Sequence, residues 1–94
     1  MNKNKTGKTV TKKILPQYFQ PIVDNLKAFE IRKDEDDIQV NDLLRLREWN
    51  DETQEYTGRE ATFRVTYVLR NVPEFGLAEG YCIISLSDTY LYRG

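Results

Sequence analysis

Leu26-Lys27-Ala28-Phe29-Glu30-Ile31-Arg32-Lys33 sets apolar residues among charges of both signs at a period of two. In a strand, Phe29 and Ile31 point one way and Glu30 and Arg32 the other, which makes the charged side the expected solvated face. The same period returns twice. In residues 43–49, Leu44 and Leu46 alternate with Arg45 and Arg47; in residues 59–69, Phe63, Val65, Tyr67 and Leu69 alternate with Thr62, Arg64 and Thr66. These two segments are expected to pair antiparallel. Residues 10–15 read as a first strand, 81–87 as a later one and 89–92 as a short edge strand. Five or six strands with one short helix predict a mostly β fold, a small and largely antiparallel β-barrel.

The helix falls between the first two strands. Tyr18, Phe19, Ile22, Val23 and Leu26 follow a helical stripe, which favours core packing for Tyr18 and Phe19. Pro21 lacks an N–H and its ring collides with the carbonyl four residues back. The expectation is therefore one turn from Pro16 and a second short helix with Pro21 in its first turn, ending near Asn25. Asp34-Glu35-Asp36-Asp37 is expected in a solvated loop and lacks the glycine and spacing of a calcium loop. Val40-Asn41-Asp42 reads as a turn, residues 50–58 as a polar connection and residues 71–80 as a loop.

Ninety-four residues with 39% hydrophobic content fit one small domain. Lys3, Lys5, Lys8, Lys12 and Lys13 make residues 1–13 basic, leaving nine bases against fifteen acids beyond them. Residues 1–9 offer almost nothing apolar to offset ordering and read as a disordered basic arm, with the folded domain over 10–94. A nucleic-acid binder usually has a basic body; this body is acidic, so such a ligand would have to meet a local basic cleft. The absence of histidine and a single cysteine, Cys82, exclude imidazole catalysis, the usual zinc spacings and an intramolecular disulfide. Cys82 alternates with Ile84 and Leu86 and is expected to be a buried, inert thiol. No apolar run approaches the roughly 20 residues that cross a bilayer, and a cytoplasmic monomer without cofactor, metal or membrane partner is expected.

Three blocks then line up in order: Ile14-Leu15-Pro16-Gln17-Tyr18-Phe19; Lys27 to Lys33 through Gln39-Val40-Asn41-Asp42; and Leu46-Arg47-Glu48-Trp49 with Tyr56-Thr57-Gly58-Arg59-Glu60. Together they resemble the DUF3850 family of small bacterial and phage proteins, in the activating signal cointegrator homology (ASCH) group of the PUA-like superfamily. The likeness covers roughly residues 12–87. It implies a PUA-like β-barrel that binds RNA or a nucleotide-like ligand. The ASCH signature places lysine, glutamate and arginine where this chain has Lys27, Glu30 and Arg32. Asn25 or Leu26 stands in place of the usual preceding glycine, Asn41 in place of the glycine of a Gly-Asp turn, and Asp36 in place of a loop arginine. Asparagine is the best substitute for glycine where φ is positive.

From this resemblance the binding cleft is expected to comprise Lys27, Glu30 and Arg32 with the segment Tyr56, Thr57, Gly58, Arg59 and Glu60. Arg32 offers a planar fork and Lys27 a point charge for phosphate. Tyr18, Trp49 and Tyr56 are candidate stacking platforms, with core packing favoured for Tyr18, and Gly58 is suited to a bulge or to close approach of a ligand. Some small ASCH proteins are amidohydrolases of N4-acetylcytidine with a threonine nucleophile; the matching position here is Glu30, and nothing in the sequence brings Thr57 or Thr62 near Lys27. A non-catalytic binder is therefore expected. A protein-interaction module acting through the acidic run is the third reading.

Overall fold

The computed structural model describes residues 7–94. The elements are β1 (Thr9–Ile14), α1 (Pro16–Val23), β2 (Phe29–Lys33), β3 (Leu43–Asn50), β4 (Glu55–Arg70), a 3-10 turn at Pro73–Phe75 and β5 (Tyr81–Arg93). The strands form one curled sheet in the order β1-β3-β4-β5-β2, a half-barrel whose free edges are β1 and β2. Only β1 and β3 run parallel; the other three pairings are antiparallel, including β3 with β4 as expected. The fold is mostly β with one short helix. Of the arm expected over residues 1–9, Thr9 opens β1 and Gly7 and Lys8 are hydrogen-bonded to the body; the remainder lies outside the described residues.

The inner face of the sheet and one face of α1 make the core. Leu44 and Leu46 of β3, Ala61, Phe63 and Val65 of β4, and Cys82, Ile84 and Leu86 of β5 surround Phe19 and Ile22 from the helix. Burial pushes the Cys82 thiol up, in keeping with an inert core residue.

The helix departs from expectation. It runs unbroken from Pro16, at its first position, through Pro21. In so short a helix Pro21 forfeits a single bond to the first turn, while Phe19 and Ile22 are held almost completely buried. Asn25 closes it at φ 61°, with Leu26 N–H donating to Pro21 O and Asn25 N–H to Ile22 O. This is a Schellman closure with asparagine in the left-handed position. Tyr18 and Leu26 lie outside the core, 52% and 81% exposed.

Three strand readings also change. β4 begins at Glu55, within the expected polar connection, so the Tyr56 to Gly58 segment is strand. Its register slips between Val65 and Tyr67; the slip exchanges the faces, turning Tyr67 to solvent and packing Val68 against the core. The expected edge strand at 89–92 is the continuation of β5, with β4 as neighbour along 90–93. Most consequential is β2, where alternation holds but the faces are reversed. Phe29 and Ile31 face outward, 43% and 55% exposed, while Glu30 is 5% exposed beside Ile84.

The turn before β3 ties both ends of the chain's first half together. Asn41 has φ 79°, as its substitution for glycine suggests. The buried Asp42 carboxylate accepts from Lys8 N–H (3.1 Å), Lys8 Nζ (2.9 Å) and Gln39 N–H (2.8 Å). Burial alone would push this carboxyl up; the donors outweigh it and hold it below the usual aspartate value of 3.8. Its contribution to stability is therefore present above that value and lost as pH falls through the lower folded pKa. Replacing Asp42 by alanine is expected to cost about 3 kcal/mol, because three donors lose their acceptor. Urea unfolding at pH 7 and pH 3 checks this, with the gap between wild type and variant narrowing at the lower pH.

Candidate functional site

Two free sheet edges, β1 and β2, face each other across the opening of the half-barrel, and side chains bridge them where backbone pairing is missing. Arg32 Nη2 donates to Lys13 O at 2.9 Å, capping a carbonyl of β1. Further along, Lys12 pairs with Asp36 at 2.6 Å and Glu35 at 3.2 Å. These ion pairs, with Asp34 held by Arg70 (2.6 Å), tie the acidic run to the barrel, while it remains the loop that its charge suggested, with Glu35 and Asp37 exposed.

Between these edges lies a cavity of about 570 Å³. Leu15, Tyr18, Phe29 and Ile31 give it apolar walls, and Lys27, Glu30 and Arg32 give it a charged floor. Glu30 Oε1 accepts from Lys27 Nζ, and Oε2 accepts from Arg32 Nε at 3.0 Å. Lys27 also reaches Tyr18 O at 3.4 Å, at the helix. A buried carboxylate needs such partners. Two cations against one carboxylate leave the floor with one net positive charge, and Arg32 Nη1 has no hydrogen-bond partner among the described residues. The chemistry on offer is an apolar-walled cavity over a charged floor in which Arg32 Nη1 is left to donate to a single anionic group.

Thr57, Gly58 and Arg59 belong to a different place. Between the pairs Arg47 with Glu60 and Trp49 with Tyr56, these three residues of β4 stand opposite Glu48 alone. Gly58, at φ 100°, makes this bulge possible. The bulge wraps donors around buried Glu48: Thr57 Oγ1 at 2.7 Å, and Arg59 Nε and Nη2 each at 2.9 Å. Arg59 also donates to Gln20 Oε1 and lies 5.0 Å from the Phe19 ring centre, fastening α1 to the sheet. The Arg59 guanidinium, assisted by Thr57, overcomes the effect of burial and holds Glu48 below the usual glutamate value of 4.5. The sequence reading of Glu48 as part of a block did not foresee this role; its position on the Leu44, Leu46 face of β3 was the available signal.

Trp49, Tyr56 and Glu60 lie on the outer face. The Trp49 and Tyr56 rings meet edge to face at 4.9 Å, Lys13 Nζ sits 3.7 Å above Trp49 and the Arg47 guanidinium 3.8 Å above Tyr56. Glu60 is held bidentate by Arg45 at 2.9 Å, which keeps its carboxyl below the usual range. The structure thus gathers Lys27, Glu30 and Arg32 as expected, adds Tyr18, Phe29 and Ile31, and separates them from the segment Tyr56 to Glu60. Thr62 pairs with Arg45 in the sheet and Thr57 serves Glu48; neither lines the cavity.

Comparison with protein-family models matches residues 10–86 to DUF3850, described as a domain of unknown function. No curated protein matches the chain.

Removing the arginine of the bulge leaves Glu48 charged, buried and short of its main partner. Arg59→Ala is expected to destabilise the fold by about 3 kcal/mol near neutral pH. Because Glu48 is depressed in the folded state, the contribution is full above pH 4.5 and fades as pH falls through the folded pKa. Thermal unfolding of wild type and variant at pH 7 and pH 3.5 measures both effects.

Proposed function

The chain belongs to the DUF3850 family, and on that premise we propose that it is a PUA-like domain of the ASCH group that binds RNA or a nucleotide-like ligand in the cavity floored by Lys27, Glu30 and Arg32. The observation that carries this reading is the cavity itself: open, apolar-walled and ending on the free side of Arg32. A base or sugar fits against Tyr18, Phe29 and Ile31, while Arg32 and the remaining Lys27 proton face a phosphodiester. Glu30 orients both cations and cancels one of their charges, which favours a single phosphate over a di- or triphosphate. Among the described residues, the lining includes no serine, threonine or cysteine, so the geometry supports binding more than acyl transfer to a side-chain nucleophile. The reading places the protein in the cytoplasm as a monomer, where reducing conditions keep Cys82 a thiol.

Fluorescence anisotropy with a labelled short single-stranded RNA tests this directly. Lys27→Ala and Arg32→Ala are each expected to weaken binding about tenfold, and Arg32→Ala to reduce the salt slope by about one. Equal affinity of wild type and the double variant would remove the cavity from consideration.

A further inference from the structure

The strands β1, β3 and β4 present an outer face of a character unlike the rest of this acidic body. Along β3, Arg45, Arg47 and Trp49 alternate outward with Leu44, Leu46 and Glu48 inward. Lys13 from β1, Tyr56 and Arg64 from β4, and Arg93 from β5 extend the same surface, with Arg93 in register with Glu60. Glu60 is the carboxylate among them, and Arg45, Arg47 and Arg93 all act on it. The charge left over is strongly positive.

From this arrangement we propose that the outer face is a second contact surface, a track on which single-stranded nucleic acid lies after leaving the cavity; it rests on the nucleic-acid reading of that cavity. Charge complementarity with a phosphate chain is one argument. Planarity is the second: the Arg47 guanidinium lies over the Tyr56 ring, Tyr56 is 39% exposed, and Trp49 meets Tyr56 edge to face with the Lys13 ammonium over one side of its ring, so aromatic and guanidinium planes are gathered in one patch. Bases stack on aromatic and guanidinium planes, whereas an acidic peptide makes no use of them. Continuity is the third. Lys13 lines the cavity, accepts Arg32 through its carbonyl and sends its ammonium over Trp49, so the cavity and the track share one residue at the edge of β1. The eight residues of β3 at about 3.3 Å each span about 25 Å, room for roughly four nucleotides at the lower end of small-barrel site sizes.

Trp49 is the one tryptophan in the chain, so its fluorescence reports on this face. The experiment titrates the protein with uridine monophosphate, a twelve-residue oligouridylate and a poly-glutamate of equal charge. Oligouridylate is expected to quench Trp49, bind at least tenfold more tightly than the monophosphate and lose about tenfold in affinity in Arg47→Ala. Arg47 lies on the outer face, over Tyr56 and 3.4 Å from Glu60, outside the apolar core; circular dichroism checks that the fold is retained, and Lys13→Ala, at the residue shared by the cavity and the track, provides a second variant. Oligouridylate affinity unmoved by both variants, or no quenching on binding, overturns the track. Poly-glutamate binding as tightly as oligouridylate assigns the face to an acidic protein and also overturns it. Loss in Arg32→Ala with no effect of Arg47→Ala retains the cavity and removes the track; the reverse pattern retains the track and removes the cavity.

Discussion

A buried carboxylate at the edge of an unclosed sheet is the constraint from which the rest of the molecule follows. Glu30 faces inward beside Ile84 in a half-barrel with two free edges. Left alone it would be costly; held by Lys27 from the helix exit and Arg32 from its own strand, it becomes a fixed point. Arg32 then reaches across the opening to Lys13 O, and Lys27 reaches back to Tyr18 O. One acid thus orients two cations, and these cations join β2 to β1 and to α1. Apolar side chains that would ordinarily fill an interior, Phe29 and Ile31, are turned outward by the same choice and become walls of the cavity.

The second buried acid, Glu48, does comparable work on β3. Its partners come from a bulge in β4 that Gly58 permits, and the resulting Arg59 contact with Gln20 and Phe19 anchors the helix from its other side. Helix α1 is therefore held between two charge clusters in addition to its apolar packing. This accounts for an unbroken helix through Pro21: tertiary contacts exceed the one hydrogen bond that the proline removes. It also explains why the segment Tyr56 to Glu60 splits between two faces, since the bulge changes which residues point inward.

Much was legible from alternation alone. Leu44 and Leu46, Phe63 and Val65, and Cys82, Ile84 and Leu86 read correctly as core because each strand buries one apolar face. Asn25 and Asn41 read correctly as positive-φ positions. The errors share a cause: period two identifies which residues share a face, and a single slip or an inward-facing ion pair decides which face that is. Tyr67 was lost to such a slip, and Glu30 to an ion pair whose partners lie three residues before it and two after. The acidic run is the loop that its charge suggested, but its ion pairs were not legible, as Lys12 and Arg70, which pair with it, are distant in sequence.

By itself, then, the sequence determined the approximate positions of the strands, the family resemblance and the grouping of Lys27, Glu30 and Arg32, since these depend on local period and on short blocks of residues in order along the chain. Only the tertiary structure decided that Glu30 is buried, that β1 and β2 are opposing edges with a cavity between them, and that Lys13, Arg47, Trp49 and Tyr56 form one outer surface. Those features depend on pairing between strands far apart in the chain and on charges that meet across an open seam. Neither is written into the period of any single strand.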